Sequence, residues 1–128
     1  MNKQFTVMVV EDEKLLLEAI TKKLQLENFF VKGFISGREA LEEVKKGSDL
    51  PDLIWLDYYL GDINGREFLE MLKPILGDKW IPVMVVSNSA SPQKVAEVMD
   101  LGVNKYLLKA EHRLEDLIVS AKEILGQK

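Results

Sequence analysis

The chain has 128 residues, of which 47% are hydrophobic and 30% charged, with a net charge of −4. These totals fit one soluble globular domain, and the acidic balance argues against direct nucleic-acid binding. The absence of cysteine excludes disulfides, thiolate catalysis and zinc–thiolate sites, and is compatible with the cytoplasmic location that we expect. No apolar run approaches the roughly 20 residues of a membrane span, and residues 1–4 lead directly into a strand-like run. We therefore expect neither membrane insertion nor a signal peptide.

Five apolar runs of strand length alternate with five amphipathic segments. The strands are predicted at residues 5–10, 29–35, 53–57, 81–86 and 105–108. The helices are predicted at 14–27, 37–46, from 65 to a kink or an end near Lys73, 92–101 and 113–125. Such alternation indicates a parallel sheet with helices on both faces, joined by right-handed crossovers. The fold class is α/β, with one doubly wound domain over residues 1–128.

Individual residues mark where these elements begin and end. Lys32 and Gly33 suit an edge strand, because a charge and a glycine both discourage further pairing. Ser36 and Ser91 are placed to cap the second and fourth helices. Pro74 lacks the N–H that a continuing third helix would need, which is why we expect a kink or an end before it.

Polar residues collect at the carboxyl ends of four strands. They are Glu11 and Asp12 after the first strand, Asp57 after the third, Ser87 and Asn88 after the fourth, and Lys109 after the fifth. Parallel strands bring these ends to one edge of the sheet, where open α/β sheets bind their ligands. Two carboxylates ~5 Å apart repel by ~3 kcal/mol at an effective dielectric constant of ~20. A hard divalent cation such as Mg²⁺ and the ammonium of Lys109 would balance three such charges, so this edge is suited to a metal and a phosphoryl group.

Other site chemistries lack the residues they require. The chain has one histidine, His112, just ahead of the last helix, which is more simply a helix-start residue than part of a Ser-His-Asp triad. Neither a glycine-rich Walker loop nor a glycine-rich turn after the first strand is present. An aspartate nucleophile needs only a metal, a cation and a hydroxyl donor.

With these residues in this order, the sequence resembles a response-regulator receiver domain, the phosphoacceptor module of two-component signalling. The resemblance covers essentially the whole chain and is carried by Glu11-Asp12, Asp57, Gly65, Ser87, Gly102, Tyr106 and Lys109. It implies a flavodoxin-like (βα)5 fold with strand order 2-1-3-4-5. Because the sequence ends with the fifth helix, we expect a stand-alone receiver without an output domain.

The resemblance also implies a role for each residue. Asp57 would accept a phosphoryl group from a histidine kinase or a histidine phosphotransfer protein. Mg²⁺, or Mn²⁺, would be bound by Glu11, Asp12, Asp57 and the backbone carbonyl of Tyr59. Lys109, Ser87 and Asn88 would contact the phosphoryl group. Ser87 and Tyr106 would form a switch that alters the surface of helix 4, strand 5 and helix 5, where a downstream protein or a second copy would dock. Such a protein is not an enzyme in the usual sense, although it assists its own phosphorylation and dephosphorylation.

Three residues depart from the family pattern. Ala110 follows Lys109 where the family usually has a proline after a cis bond, and a cis bond before a non-proline residue costs ~3 kcal/mol, so we expect a trans or strained link. Gly61 replaces a common proline and is expected to loosen the loop after Asp57. Asn88 replaces a small residue and is expected to narrow access to the site.

Two other functions stay open on the sequence. Ala110 and Asn88 motivate a pseudo-receiver, a binding module that works without phosphorylation. A metal-dependent phosphohydrolase would need a second acid near Asp57, and Tyr59 is a poor candidate.

Several apolar residues outside the site have two interpretations. Leu15, Ala19 and Leu26 form a stripe beside the core face of the first helix, either as a wide core stripe or as a docking surface. Val119 is either simply exposed or part of a dimer or partner surface. Trp55 and Trp80 are interpreted as packing residues.

Overall fold

The computed structural model describes residues 4–89 and 91–126. The expectation about a signal peptide rests in part on residues 1–3 and so lies outside the described residues. The five strands are β1 Thr6–Val10, β2 Phe30–Phe34, β3 Leu53–Asp57, β4 Val83–Ser87 and β5 Lys105–Leu108. They form one parallel sheet in the order β2-β1-β3-β4-β5. The predicted strand order is confirmed, and β2 is an edge strand as Lys32 and Gly33 indicated.

The five predicted helices are present, with ends that differ from the prediction by a few residues at most. They are α1 Lys14–Leu26, α2 Gly37–Lys45, α3 Gly65–Leu76, α4 Pro92–Asp100 and α5 Leu114–Ile124. Short 3₁₀ turns follow α3 at Gly77–Lys79 and β5 at Lys109–Glu111. Of the helices within residues 4–89 and 91–126, none has the length and apolarity needed to cross a membrane.

The sheet separates two hydrophobic cores. The first core lies under α2, α3 and α4 and contains Met8 and Val10 of β1; the second lies under α1 and α5 and contains Val7 and Val9. Because both faces of the sheet are covered, the central strands are apolar at successive positions rather than at alternate ones. Trp55 is almost completely buried in the second core, and Trp80 packs against the first. The packing interpretation of both tryptophans is confirmed.

The predicted caps are confirmed at two helices. Ser36 accepts a hydrogen bond from the Glu39 N–H, and Ser91 accepts one from the Lys94 N–H. A third cap was not predicted: the Asn64 side chain and N–H pair reciprocally with Glu67 at the start of α3. This reciprocal cap usually has Ser or Thr in the position that Asn64 occupies, so the sequence indicated the cap less clearly here.

Of the kink or end expected near Lys73, the end is wrong, because α3 continues through Pro74 to Leu76. Leu76 is buried, and the Gly77 N–H donates to the carbonyl of Lys73, the residue before the proline. Proline removes one hydrogen bond from the helix, and burial of the last turn outweighs that loss.

The apolar stripe on α1 is not part of either core. Leu15 and Leu26 are 77% and 81% exposed, and Ala19 is also exposed, so the wide-core interpretation is wrong. Val119 on α5 is 54% exposed. Leu26 and Val119 line the same shallow groove between α1 and α5.

Gly37, the first residue of α2, is packed tightly beneath the loop between β3 and α3. A Cβ atom added there would lie 2.7 Å from Ile63 Cγ1 and 3.1 Å from Leu60 Cδ1. Both neighbours are buried, so they have little room to move aside. This close approach explains why α2 begins with glycine, which forms helices more poorly than any residue except proline.

Gly37→Ala is predicted to lower the free energy of unfolding by about 1–3 kcal/mol, because overpacking outweighs the better helix propensity of alanine. Urea denaturation measures the change. Arg38→Ala, at the exposed next position, is the control and should stay within about 0.5 kcal/mol of the native protein. Equal stability of the Gly37→Ala variant and the native protein would contradict the tight contact.

Candidate functional site

The carboxyl edge of the sheet brings together three acidic side chains from two strands. Glu11 and Asp12 directly follow β1, and Asp57 is the last residue of β3, the strand beside it. One carboxylate oxygen from each lies within 4.8 Å of the others. Glu11 and Asp57 are buried, whereas Asp12 is exposed. The cluster therefore has a closed interior and one side open to solvent.

Lys109 reaches this cluster from the end of β5, the edge strand opposite β2. Its Nζ donates to Glu11 Oε1 at 2.9 Å and lies 3.5 Å from Asp57 Oδ2. Two backbone groups complete the arrangement, because the Glu13 N–H donates to Glu11 Oε2 and the Tyr59 N–H donates to Asp57 Oδ1. The ammonium is thus shared by two carboxylates whose like charges would otherwise face each other.

The buried charges alter one another's protonation. Burial and the neighbouring charge of Glu11 raise the pKa of Asp57 to about 7, although the ammonium of Lys109 opposes the change. Burial lowers the pKa of Lys109, but its hydrogen bond to Glu11 and the charge of Asp57 outweigh burial and raise that pKa above its ordinary value. The lysine therefore stays charged while Asp57 loses its proton near neutral pH.

The donor set fits a hard divalent cation. All three side chains offer oxygen, and one ammonium does not balance three carboxylates. The exposed side at Asp12 leaves room for the water ligands that Mg²⁺ retains. Oxygen donors, excess negative charge and solvent access together suit Mg²⁺ better than they suit a transition metal that prefers nitrogen or sulfur.

The residues after β4 occupy different environments. Ser87 is completely buried, and its Oγ accepts a hydrogen bond from the Ser89 N–H. Asn88 is exposed, and within the described residues no hydrogen bond joins it to the carboxylates. Ser87 and Asn88 therefore follow the edge of the sheet as predicted, but only Ser87 points into the folded interior.

Ser89, whose contacts the sequence did not predict, connects the two expected switch residues. Its carbonyl accepts a hydrogen bond of 2.6 Å from the Tyr106 hydroxyl, and its N–H donates to Ser87. Its own hydroxyl donates to the Tyr59 hydroxyl at 3.2 Å, and the ammonium of Lys94 lies 4.4 Å from the centre of the Tyr59 ring. The loops after β3 and β4 are therefore in direct contact.

The link after Lys109 adopts the trans form, since no cis peptide bond occurs within the described residues. Residues Lys109–Glu111 form a 3₁₀ turn, and Lys109 still contacts both buried acids. His112 caps that turn and lines an apolar cavity of about 230 Å³ with Trp55 and Lys109. Replacing the family proline with Ala110 thus leaves the lysine within reach of the cluster.

Asp57→Asn is predicted to make the metal-free protein more stable than the native chain at pH 8, by about 1–3 kcal/mol. Because folding raises the pKa of Asp57, its contribution to stability is complete below about pH 4 and is lost as the pH rises through about 7. The advantage of the variant should therefore grow across that range and disappear near pH 4.

Urea denaturation in the presence of a chelator measures this difference. The exposed Asp78→Asn substitution is the control for removing one negative charge. If the native chain gained stability relative to Asp57→Asn between pH 5 and pH 8, the inferred protonation of Asp57 would be wrong.

Known proteins share both the sequence pattern and the fold. The family model of the response regulator receiver domain matches residues 7–121. Response regulator MprA of Mycolicibacterium vanbaalenii is 28% identical over 119 residues, which is 93% of this chain and 49% of that protein. Regulatory protein VanRc of Enterococcus gallinarum is 29% identical over 109 residues, which is 85% of this chain and 45% of that protein. The chain spans about half the length of these curated relatives.

Solved structures match over nearly the whole chain. A CheY-like receiver domain protein from Methanospirillum hungatei has a TM-score of 0.86 at 22% identity, covering 97% of this chain and 95% of that chain. The phosphorylated cyanobacterial phytochrome response regulator RcpA has a TM-score of 0.79 at 30% identity, covering 95% and 91% respectively. The flavodoxin-like fold is confirmed, and the match over residues 7–121 shows that this chain belongs to the response regulator receiver domain family, whose members are signalling phosphoacceptor domains of two-component systems.

Proposed function

We propose that this receiver accepts a phosphoryl group on Asp57 in a Mg²⁺-dependent reaction and passes the signal on by protein contact. The observation that carries the proposal is the cluster of Glu11, Asp12 and Asp57 joined to Lys109 at the carboxyl edge of the sheet. Receiver domains act with histidine kinases or histidine phosphotransfer proteins, and one of these is the proposed donor for this chain. The phosphorylated state of the related regulator RcpA supports the same chemistry here.

The carboxylates of Glu11, Asp12 and Asp57 and the backbone carbonyl of Tyr59 would hold Mg²⁺, or Mn²⁺ in its place. The bound ion would neutralise negative charge on the carboxylates and on the oxygens of the incoming phosphoryl group. Burial raises the pKa of Asp57 to about 7 in the metal-free protein, and ionisation of this carboxyl group would let it act both as a metal ligand and as a nucleophile.

In the transfer step, an oxygen of the Asp57 carboxylate forms a bond to phosphorus. The bond between phosphorus and the donor's histidine nitrogen breaks, and the imidazole keeps the electron pair. Lys109 Nζ, which lies 3.5 Å from Asp57 Oδ2, would pair with the transferred oxygens. Ser87 would donate its hydroxyl to them, and Asn88 would contact them from the exposed side of the site.

The output proposal rests on the contacts of Ser89. Ser87 and Tyr106 are both hydrogen-bonded to this residue, so movement of Ser87 towards a phosphoryl group would disturb the contact with Tyr106 as well. A phosphoryl group adds about two negative charges, enough to reorganise neighbouring hydrogen bonds. We assign the resulting change to the surface of α4, β5 and α5, where a target protein or a second copy would dock.

A cytoplasmic location is also part of this proposal. The alternative is a pseudo-receiver that binds its partner without phosphorylation, and the exposed Asn88 at the site is the observation that favours it. The two functions differ in whether the carboxylate cluster responds to metal and accepts a phosphoryl group.

Incubation with acetyl phosphate and Mg²⁺ is predicted to add the mass of one phosphoryl group to the native chain. The Asp57→Asn variant and a chelator-treated sample are the controls, and neither should gain this mass. Intact-protein mass spectrometry measures the adduct. Failure to form an adduct with acetyl phosphate or with a phosphorylated histidine phosphotransfer protein would overturn the phosphoacceptor function.

Mg²⁺ is predicted to bind about tenfold more weakly at pH 6 than at pH 8, because the metal competes with the proton on Asp57. Trp55 fluorescence reports binding, since this side chain lines the same cavity as Lys109. A Trp80→Phe background removes the signal of the other tryptophan. Absence of any metal response in that background would favour the pseudo-receiver.

A further inference from the structure

Asp62 lies in the loop after β3 but makes its hydrogen bonds to the start of α2. Its Oδ1 accepts from the Gly37 N–H at 3.1 Å. Its Oδ2 accepts from the Arg38 N–H at 2.9 Å and from the Ser36 hydroxyl at 3.0 Å. One carboxylate therefore joins two elements that are about 25 residues apart in the sequence.

The start of α2 is well suited to hold this side chain. The first N–H groups of a helix have no partner within the helix, and its dipole favours a negative charge there. Ser36 already provides the local cap by accepting from the Glu39 N–H. Burial raises the pKa of Asp62, but the hydrogen bonds from Arg38, Gly37 and Ser36 outweigh burial and lower the pKa to about 2. Asp62 is therefore charged across the whole physiological range.

The loop that Asp62 anchors, residues 58–64, also carries part of the proposed metal site. Its two arms are joined at the base, where the Gly65 N–H donates to the Tyr58 carbonyl and Tyr59 is bridged to Asn64. These contacts close the loop but do not attach its tip to the rest of the domain. Gly61 adds flexibility at that tip.

The attachment comes from α2. The carboxylate of Asp62 binds the backbone of Gly37 and Arg38, and Leu60 and Ile63 pack against the surface of Gly37 that lacks a Cβ atom. Polar and apolar contacts thus fix the same few residues of the loop from one side. A Cβ atom added to Gly61, immediately before Asp62, would lie 3.7 Å from Asp12 Oδ2.

We propose that Asp62 is a positioning residue for the phosphoacceptor site. By holding residues 58–64 against α2, it fixes the Tyr59 carbonyl and the side of the loop that faces Asp12. It thereby offsets the flexibility that Gly61 adds to the loop. This inference rests on the proposed function, because it concerns the same cation site. A purely structural role, in which Asp62 only stabilises α2, makes a different experimental prediction.

The test compares Asp62→Ala with Ser36→Ala in the Trp80→Phe background. Both variants weaken the capping of α2, but only the first releases the loop, since Asp62 keeps its two backbone donors when Ser36 is replaced. Mg²⁺ affinity, followed through Trp55 fluorescence, should fall about tenfold in Asp62→Ala, the usual cost of losing an outer-sphere support. It should stay within about twofold in Ser36→Ala. An equal loss in both variants, or none in Asp62→Ala, would overturn the proposal.

Hydrogen exchange gives a second readout that needs no metal. The amides of residues 58–64 should exchange faster in Asp62→Ala than in Ser36→Ala, while both variants exchange faster at the start of α2. Asp62→Asn keeps one acceptor oxygen but no charge, so its loop amides should lie between those of Asp62→Ala and the native chain. Unchanged exchange in the loop of Asp62→Ala would refute the anchoring role.

The two proposals fail in different ways. If the native chain binds no Mg²⁺, the proposed function is wrong, whatever hydrogen exchange shows for Asp62. If the native chain and Asp62→Ala bind Mg²⁺ equally well, the phosphoacceptor function stands and the positioning role is wrong.

Discussion

The shared ammonium of Lys109 is the interaction on which the functional edge of this domain depends. Glu11 and Asp57 are buried side by side, and without a cation between them their charges would repel with little screening from water. Lys109 follows β5, and its side chain extends past the end of β4 to reach both acids. Because the strands are parallel, this positive charge lies at the same edge of the sheet as the acids. Burial and the charge of Glu11 raise the pKa of Asp57 to about 7 against the opposing charge of Lys109. A residual need for positive charge is what gives the cluster its capacity for a metal ion.

The loops around this cluster are held from opposite sides by different kinds of contact. On the side of α2, Asp62 attaches the loop after β3 by charge-assisted hydrogen bonds to a helix terminus. On the side of β5, Tyr106 holds the loop after β4 by a single hydroxyl bond to the Ser89 carbonyl. The first attachment uses a carboxylate that stays ionised, whereas the loop after β4 is held by neutral hydrogen bonds from Tyr106 to Ser89 and from Ser89 to Tyr59. The site therefore has one firmly fixed wall and one that is easier to displace.

Much of this structure could be predicted from the sequence because it follows from burial and chain direction. Apolar runs covered on both faces reveal parallel strands, and parallel strands require Asp57 and Lys109 to meet at one edge. The anchoring by Asp62 and the links through Ser89 could not be predicted, because they depend on loop conformations that no periodic pattern encodes. The continuation of α3 through Pro74 depended on the burial of Leu76, which local propensity does not report. Periodicity likewise could not show that the α1 stripe containing Leu15 faces away from the sheet and is exposed.

Successive residues of β5 pack against different hydrophobic cores of the domain. Tyr106 packs against the core under α2, α3 and α4, whereas Leu107, the next residue, packs against the core under α1 and α5. The helices before and after β5, α4 and α5, thus pack on opposite faces of the sheet, with this four-residue strand between them in the chain. The proposed switch through Tyr106 would act on the core under α2, α3 and α4, whereas Leu107 belongs to the core under α1 and α5. Under the proposed switch, a signal would alter the placement of α4 relative to α5 through one core only.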